Sequence, residues 1–309
     1  MKKEIGFIGL GIMGKPMSKN LLKAGYSLVV CDINLYAVEE LVEAGAQKAI
    51  SPKEVAQRTE IIFTMLPNSP HVKEVVMDKD GILEGAKEGT ILVDLSSIAP
   101  KVSRELFNIC KEKGVVMLDA PVSGGEPKAI NASLSIMVGG PEDAFESVKE
   151  ILYKMGASVI LVGDTGSGNV TKLANQMIVA LNIAAMSEAL VLAAKAGVDP
   201  EKVYQAIRGG LAGSVVLDAK APMILKRDYN PGFRIELHIK DLLNALDTAH
   251  EIGVPVPLTA QILEIMQALK ADGKAGNDHG GVIQFYEKLA HIEVDCRDKN
   301  GKAVANVLK

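Results

Sequence analysis

The segment EIGFIGLGIMG, residues 4–14, decides the fold of this chain. A short apolar run leads into the pattern Gly-x-Gly-x-x-Gly, and an amphipathic stretch follows it. The pattern alone is common in turns, but between a strand and a helix that open an α/β region it is typical of a site for the pyrophosphate of a dinucleotide. We therefore predict that the loop binds a dinucleotide cofactor through Gly9, Leu10, Gly11, Ile12, Met13 and Gly14.

The three glycines of this loop have separate tasks. Gly9 permits the tight turn, Gly11 lets the backbone approach the phosphates, and Gly14 allows the helix to pack closely against the strand. The N-terminus of the helix adds unpaired N–H groups and a positive potential, which together attract an anion. The alternative is a glycine turn with a structural task alone.

An acidic residue ends the second predicted strand. Asp32 lies 18 residues after Gly14, where a carboxylate accepts hydrogen bonds from the adenosine ribose and repels a 2′-phosphate. This position predicts that NAD(H) is favoured over NADP(H). The alternative is an Asx turn within Asp32-Ile33-Asn34, and one side chain can serve both purposes.

Short apolar runs alternate with amphipathic helical stretches up to about residue 162, which is typical of βαβ units and a parallel sheet. Predicted strands lie in EIGFIGL, in SLVVCD and at residues 60–66, 90–96, 115–121, 134–140 and 158–163. A long helix then runs from residues 166–168 to about 195. Further helices are predicted at residues 200–209, 215–225, 239–252, 258–272 and 282–289.

This change of pattern predicts the fold class. An α/β N-terminal Rossmann domain with a doubly wound, mostly parallel sheet is followed by an all-α C-terminal domain, and a long interdomain helix joins the two. We place the cofactor-binding domain at residues 1–164 and the helical domain for substrate and oligomerisation at residues 165–294. Residues 295–309 are polar and lack a core pattern, so we expect a surface tail there.

The composition excludes several classes of function. A net charge of -4 and a pI near 5.8 give no bulk attraction to nucleic acid or to an anionic membrane. The 3 cysteines form no CxxC pair and the 5 histidines show no metal-ligand spacing, which predicts a metal-free, reduced protein of the cytoplasm. The apolar stretch at residues 177–194 is interrupted by Asn182, Ser187 and Glu188, so we expect a buried helix and no membrane span.

The ends of later strands carry polar or glycine-rich loops. Because ligands of open α/β sheets bind at the carboxyl ends of strands, Leu66-Pro67 and the segment ending at Ser97 are predicted to line the cofactor cleft. Ser123-Gly124-Gly125 is the most suggestive loop, since two glycines let successive backbone amides grip a carboxylate and the serine adds a hydroxyl donor. A flexible connection without a function is the alternative.

The long helix carries polar residues at helical spacing. Lys172, Asn175, Val179 and Asn182 are three or four residues apart and share one otherwise apolar face. A lysine on a buried face is partly desolvated, which favours a role in proton transfer. The alternative is a lysine whose ammonium group reaches solvent near the start of the helix.

Four segments taken together resemble the β-hydroxyacid dehydrogenase family. They are residues 9–14, residues 119–125, residues 166–175 and Lys240-Asp241, and the similarity extends from residue 5 to about residue 294. The resemblance implies that Lys172 is the catalytic acid/base, that Asn175 orients the substrate, and that Phe233 completes the helical-domain pattern. It further implies a carboxylate site at Ser123, Gly124 and Gly125 and cofactor contacts from Ser97 and Lys240.

Two positions depart from the family pattern. Ala132 stands where the family usually has glycine, and the segment after Val294 is longer than expected. Neither departure touches the residues of the predicted chemistry, although the first affects the loop that follows the carboxylate-binding segment. The resemblance also implies a homo-oligomer, a dimer or a tetramer, with the long helix at or near the interface.

The resemblance implies a reductase for a small carboxylate-bearing semialdehyde, or for the matching hydroxyacid. Within the family, segments such as MLDAPVSGGEPKAI are most similar to members that reduce 2-hydroxy-3-oxopropanoate to glycerate with NADH. The alternatives are a sibling that acts on 3-hydroxyisobutyrate, succinic semialdehyde or glyoxylate, a 6-phosphogluconate-type decarboxylase, which should need basic residues for a phosphate, and a non-catalytic NAD-binding module.

Overall fold

The computed structural model describes residues 4–295, which form two compact units. The first unit extends to Ala174 and the second begins at Asn175, so the division falls inside one continuous helix. The predicted domain boundary at residue 164 precedes that helix and stays a prediction. The predicted tail lies outside the described residues, apart from Asp295.

The first unit is built on a sheet of nine strands. Six strands pair in parallel in the order β3-β2-β1-β4-β5-β6, which is the Rossmann order, so the prediction of an α/β domain with a doubly wound sheet is confirmed. The strands are β1 Glu4–Ile8, β2 Ser27–Cys31, β3 Gln47–Lys48, β4 Ile61–Thr64, β5 Ile91–Asp94, β6 Val116–Asp119, β7 Val122–Ser123, β8 Leu134–Gly139 and β9 Gly156–Gly163.

The far side of the sheet is mixed. Strand β8 is antiparallel to β6 and β7, and β9 pairs with β8 in parallel. The sequence prediction missed β3 and β7, because each is only two residues long and neither has an apolar run. The strand predicted at residues 60–66 ends at Thr64, since the amide of Leu66 turns away and donates to the Ser96 hydroxyl.

Helices cover both faces of this sheet in the manner of βαβ units. They are α1 Gly14–Lys23, α2 Leu35–Glu43, α3 Pro52–Arg58, α4 Ser69–Met77, α5 Ile82–Gly85, α6 Pro100–Glu112, α7 Gly125–Ile130 and α8 Glu142–Leu152. Strand β4 is buried along its whole length and β2 is buried from its second residue onward, which is why both read as continuous apolar runs. Phe7 of β1 and Phe63 of β4 stack at a centroid distance of 6.1 Å in this core.

The second unit is all helical within the described residues, as predicted. The long helix α9 spans Ser167–Lys195 and enters this unit at Asn175. Five shorter helices follow, together with a 3-10 turn at His279–Val282. They are α10 Pro200–Ile207, α11 Val215–Leu225, α12 Ile235–Glu251, α13 Pro257–Ala271 and α14 Ile283–Ala290.

Tertiary hydrogen bonds set the helix ends that the sequence pattern placed elsewhere. Helix α12 begins at Ile235, four residues before the predicted start, because the amides of Ile235 and Glu236 donate to the carbonyls of Asn277 and Ala275. The helix predicted at residues 282–289 is preceded by the 3-10 turn, which Asp278 caps by accepting from the Gly280 amide at 2.8 Å.

Helix α9 is long and apolar enough to cross a membrane by length and composition, and 33% of its most apolar window is buried. Such a helix is weak evidence for a span, because the core helix of a globular protein passes the same test. The sequence predicted a buried helix here, and the helix is buried on one side only. Ile178 and Leu192 are 62% and 71% exposed.

Ala132 has a left-handed backbone, with φ of +54°. It lies between α7 and β8, where its amide donates to the Ala129 carbonyl. An L residue with a Cβ is strained in this region, whereas glycine is not. The departure from the family pattern at this position therefore leaves the turn in place and adds a local strain to it.

Replacing Ala132 with glycine should raise the free energy of unfolding by about 0.5–1 kcal/mol, because relief of the strained φ outweighs the added entropy of the unfolded chain. Chemical denaturation of Ala132→Gly measures the change. The matched control is Ala219→Gly on the exposed face of α11, which should lower stability by about 0.5–1 kcal/mol. A loss of stability in Ala132→Gly would contradict the strain argument.

Candidate active site

The glycine loop between β1 and α1 has the geometry of a phosphate cradle. Gly9 has φ of +95°, and a Cβ there would meet the Met65 backbone. A Cβ on Gly14 would overlap the Gly9 carbonyl, so the helix can approach the strand only with glycine at that position. At Gly11 an added Cβ would meet nothing within 4 Å, so the chain itself does not explain that glycine. The open space beside it fits a bound pyrophosphate.

The start of α1 suits an anion. Among the described residues, the helix has no side-chain cap and no acidic residue in its first turn. The backbone amides of a first turn have no partner within their own helix and carry positive potential. Ile12 is 52% exposed and Gly11 is exposed, so the loop faces open space. Together with the space at Gly11, this arrangement fits the phosphates of a dinucleotide.

Asp32 follows β2 and is tied to the glycine loop. Its Oδ2 accepts from the Leu10 amide at 2.5 Å, and its Oδ1 accepts from the Asn34 amide at 2.6 Å. The second bond is the Asx turn that the sequence offered as an alternative. Asp32 is half-buried, so outward lone pairs of the carboxylate are still within reach of a ribose hydroxyl. The geometry is thus compatible with both interpretations.

The predicted cofactor contacts at Leu66 and Ser97 follow neighbouring strands that share one buried carboxylate. Asp94, at the end of β5, accepts from the Thr64 hydroxyl at 2.8 Å and from the Ser96 amide at 3.1 Å. The Ser96 hydroxyl in turn accepts from the Leu66 amide at 2.9 Å. This chain of hydrogen bonds fixes the two loops relative to each other. Pro67 is exposed beside them.

Two buried carboxyl groups lie side by side in this sheet. Asp94 and Asp119 are register partners on β5 and β6, and each is 0% exposed. Burial raises the pKa of Asp94 to about 6, while hydrogen bonds from Ser96 and Thr64 lower it only in part. Burial likewise raises the pKa of Asp119 to about 6, against the backbone amides of Gly166 and Asn169, which lower it. No local sequence pattern predicts a role for either residue.

The predicted carboxylate site follows Asp119 directly. Ser123 ends β7, where it pairs with Ser135 of β8, and its side chain is half-buried. Gly124 and Gly125 both have positive φ, at +140° and +68°. Two successive glycines in this region expose adjacent backbone amides in an arrangement that L residues rarely allow. The loop therefore has the backbone form that a carboxylate grip requires.

The catalytic lysine predicted on α9 is buried. Lys172 is 5% exposed, which favours the desolvated lysine over the alternative in which its ammonium group reaches solvent. One turn earlier, Asn169 is fully buried, and its side chain accepts from the Ile98 amide and donates to the Ser103 hydroxyl, both at 3.0 Å. Asn169 thus joins the first turn of the helix to the loop that carries Ser97.

In the second unit, Asn175 belongs to a polar network. Its amide donates to Gln176 at 2.9 Å, and Gln176 donates to Asp241 at 2.6 Å. Lys240 lies beside Asp241 on α12, with Nζ 3.1 Å from Oδ1. Gln176 is nearly fully buried, and no local sequence pattern indicates its task, because its partner Asp241 is 65 residues away. The network holds Asn175 and Lys240 in one connected group.

A histidine pair supports this group. His238 Nε2 lies 3.0 Å from the Gln176 carbonyl oxygen, which can only accept, so this nitrogen carries the proton. His238 Nδ1 lies 3.0 Å from His279 Nδ1, and a neutral pair requires the proton on His279. Phe233 packs edge-on against both rings. Within residues 4–295 no group of three or more His, Cys, Asp or Glu side chains could hold a metal ion.

Comparisons with known proteins agree with this arrangement. A family model for the NAD-binding domain of 6-phosphogluconate dehydrogenase matches residues 4–163, and one for the NAD-binding of NADP-dependent 3-hydroxyisobutyrate dehydrogenase matches residues 166–286. The chain is 44% identical over 288 residues to a 2-hydroxy-3-oxopropionate reductase of Escherichia coli, across 93% of this chain and 98% of that protein. Human mitochondrial 3-hydroxyisobutyrate dehydrogenase is 37% identical over 291 residues, across 92% and 87%.

Solved structures agree as well. A 3-hydroxyisobutyrate dehydrogenase of Mycobacterium tuberculosis, solved with L-serine, superposes with a TM-score of 0.86 at 31% identity, across 93% of this chain and 99% of that one. The fold, the glycine loop and the matches to known proteins together place the chain in a class of nicotinamide-dependent oxidoreductases that act on small hydroxyacids. Within that class, the chain belongs to the β-hydroxyacid dehydrogenase family.

The raised pKa of Asp94 makes a prediction about stability and pH. Because this pKa lies above its ordinary value of 3.8, the folded state binds the proton more tightly, and the stabilisation is lost as pH rises through about 6. Asp94→Asn keeps an acceptor for Thr64 and Ser96 but cannot titrate. The stability difference between the unaltered protein and this variant should therefore be about 1.4 kcal/mol larger at pH 5 than at pH 7.5.

Denaturant unfolding of both proteins at the two pH values measures this difference. The second carboxyl group, Asp119, is present in both proteins and cancels to first order. Equal differences at pH 5 and pH 7.5 would show that Asp94 does not titrate in this range.

Proposed function

We propose that the protein reduces 2-hydroxy-3-oxopropanoate, also called tartronate semialdehyde, to D-glycerate with NADH, in a reversible reaction. The observation that carries the reaction type is the burial of Lys172 in a chain whose Rossmann unit has an open glycine loop. The substrate is supported by the 44% identity to a 2-hydroxy-3-oxopropionate reductase over nearly the whole of both chains.

The proposed roles divide between binding and proton transfer. The bound nicotinamide supplies the hydride to the aldehyde carbon. The Lys172 ammonium donates a proton to the aldehyde oxygen as it becomes an alkoxide, which completes the primary alcohol, and the neutral amine takes that proton back in the reverse direction. Ser123, Gly124 and Gly125 hold the substrate carboxylate, and Asn175 orients the substrate beside the lysine.

The surroundings of Asp32 support NADH over NADPH. A 2′-phosphate needs basic partners, but the segment from Asp32 to Tyr36 contains no lysine or arginine, and Ile33 and Tyr36 are 101% and 90% exposed. The carboxylate itself repels a phosphate. We further propose that Leu66, Pro67, Ser97 and Lys240 contact the cofactor, in addition to the glycine loop.

A sibling activity is the second candidate. The identity to human 3-hydroxyisobutyrate dehydrogenase and the TM-score of 0.86 to the mycobacterial enzyme favour a dehydrogenase for 3-hydroxyisobutyrate as the alternative. Backbone amides that bind the carboxylate do not contact the remainder of the substrate. Tartronate semialdehyde and the 3-hydroxyisobutyrate pair are therefore both compatible with the Ser123 loop. A non-catalytic NAD-binding module would not need a buried lysine.

We also propose that the chain works in the cytoplasm as a homo-oligomer, a dimer or a tetramer, with residues 1–164 as the cofactor domain and residues 165–294 as the domain for substrate and assembly. The exposed Ile178 and Leu192 on α9 support self-association, because large apolar side chains on one helix side are costly in water. Light scattering coupled to size exclusion measures the mass of the assembly.

Substrate and cofactor are tested by one panel of assays. Purified protein should oxidise NADH fastest with tartronate semialdehyde, against methylmalonate semialdehyde, succinic semialdehyde and glyoxylate, as followed by the absorbance of the reduced nicotinamide. The same panel with NADPH should give much slower rates, because Asp32 opposes the 2′-phosphate. A faster rate with methylmalonate semialdehyde would move the assignment to the 3-hydroxyisobutyrate dehydrogenases, and equal rates with NADPH would remove the role of Asp32.

The role of Lys172 is tested by two substitutions. Lys172→Ala should lower kcat by ~10²–10⁴-fold while NADH binding stays largely intact, because the proton donor is lost and the cofactor loop is not. Lys172→Arg keeps the positive charge but cannot give up its proton, so kcat should stay low in that variant too. Lys149→Ala on the surface of α8 is the control and should turn over normally. Unchanged turnover in Lys172→Ala would remove the proposed mechanism.

A further inference from the structure

The start of helix α9 is held by a side chain from the sheet. Asp119, the last residue of β6, accepts from the Gly166 amide at 2.6 Å and from the Asn169 amide at 2.7 Å. Both are amides that a helix N-terminus leaves without a partner of its own. A buried carboxylate that satisfies two of them serves as the cap of the helix, although it comes from a strand about 50 residues earlier.

The Asp119 side chain is closely surrounded by two glycines, Gly139 and Gly168. A Cβ on Gly139 would lie 2.6 Å from Asp119 Oδ1, and a Cβ on Gly168 would lie 2.9 Å from Oδ2 and 2.6 Å from the Asp119 carbonyl oxygen. All three distances are shorter than real Cβ contacts allow, so the two glycines let helix and sheet approach until the carboxylate reaches the amides. The second glycine of the Gly166-Ser167-Gly168 start is explained by this contact.

We propose that Asp119 is a positioning residue of the reaction, which fixes the first turn of α9 and thereby the place of Lys172 relative to the Ser123-Gly124-Gly125 loop. The proposal rests on the proposed role of Lys172. Asp119 does not act on the substrate itself. It ends the strand that leads into the carboxylate loop and caps the helix that carries the lysine, so one side chain links the two.

Asn169 extends the same link to the cofactor loops. Its amide bonds to Asp119, and Lys172 is the residue three positions further along the helix, on the same side. The Asn169 side chain holds the Ile98 amide, next to Ser97. A shift of the first turn therefore moves the lysine and disturbs the loop after β5 together.

The cap depends on the charge of Asp119. Protonation turns one carboxylate oxygen into a donor, which then faces a backbone N–H group and loses that hydrogen bond. Two charged groups act on this carboxyl group. The positive charge of Arg104 on α6 lowers the pKa of Asp119, and Asp94 of β5 interacts with it electrostatically. With burial as the largest cause, the pKa is raised to about 6. The cap should accordingly weaken as pH falls through about 6.

The test is the pH dependence of kcat for the NADH-dependent reduction in Asp119→Asn. The asparagine has the same shape but offers an acceptor to only one of the two amides. At pH 7.5 its kcat should be lower by about 10²-fold, which is the size of effect that a small misplacement of a reacting group produces. The unaltered protein should lose kcat as pH falls through about 6. We call this decrease the acid limb of the pH profile, and the kcat of Asp119→Asn should not show it.

Two further variants separate positioning from general damage. Asp94→Asn removes the other buried carboxyl group of similar pKa. The kcat of this variant should still fall through about pH 6, whatever its value at pH 7.5. Asp199→Asn makes the same exchange at the exposed aspartate that caps α10 in the second unit, and it should keep both the rate and the loss of kcat at low pH. An acid limb that disappears in Asp94→Asn and persists in Asp119→Asn would overturn the proposal.

Hydrogen exchange provides a readout that does not depend on catalytic activity. In the unaltered protein, the amides of Gly166 and Asn169 should exchange faster at pH 5 than at pH 7.5 after correction for intrinsic rates. In Asp119→Asn, the amide that has lost its acceptor should exchange fast at both pH values. Unchanged protection of these amides would overturn the proposal even if Lys172→Ala is inactive. If Lys172→Ala keeps its activity, the proposed function fails instead, while the exchange result still reports on the cap.

Discussion

The hydrogen bonds between one buried carboxylate and the first turn of α9 are the constraint on which the arrangement of the first unit depends. A carboxylate without solvent is costly unless it is paired or hydrogen-bonded, and two backbone amides repay part of that cost for Asp119. The amides would themselves be unsatisfied without it. The carboxylate and the two amides each need the other to be hydrogen-bonded. The end of β6 and the start of α9 are therefore held together by specific hydrogen bonds as well as by packing.

The fold class was accessible from the sequence because it rests on periodicity. Buried parallel strands read as continuous apolar runs, and the Rossmann order follows from their alternation with helices, so strands such as β4 were found within one or two residues of their observed ends. Elements set by tertiary hydrogen bonds were not accessible. Strand β3 has two exposed residues and no pattern, and the start of α12 depends on carbonyls of Asn277 and Ala275, about 40 residues further along.

In the candidate site, too, residues with a local sequence pattern could be predicted and residues with distant partners could not. The glycine loop, Asp32 and Lys172 are recognisable because their neighbours in sequence supply their context. Asn169 and Gln176 were missed as supporting residues, since their partners Ile98 and Asp241 are 71 and 65 residues away and no local spacing rule reaches that far. The residues that perform chemistry were thus easier to find than the residues that hold them in place.

The double attachment of Asp32 has a consequence for coenzyme engineering. A redesign toward NADPH has to remove the negative charge after the second strand, because that charge repels the 2′-phosphate. Here that carboxylate also holds the Leu10 amide of the glycine loop and the Asn34 amide of the turn before α2. An exchange of Asp32 for a side chain that lacks two acceptor oxygens would release at least one of these amides, so the phosphate cradle would loosen before any new contact formed. A successful redesign has to rebuild the loop, the turn and the ribose contact as one transplanted segment.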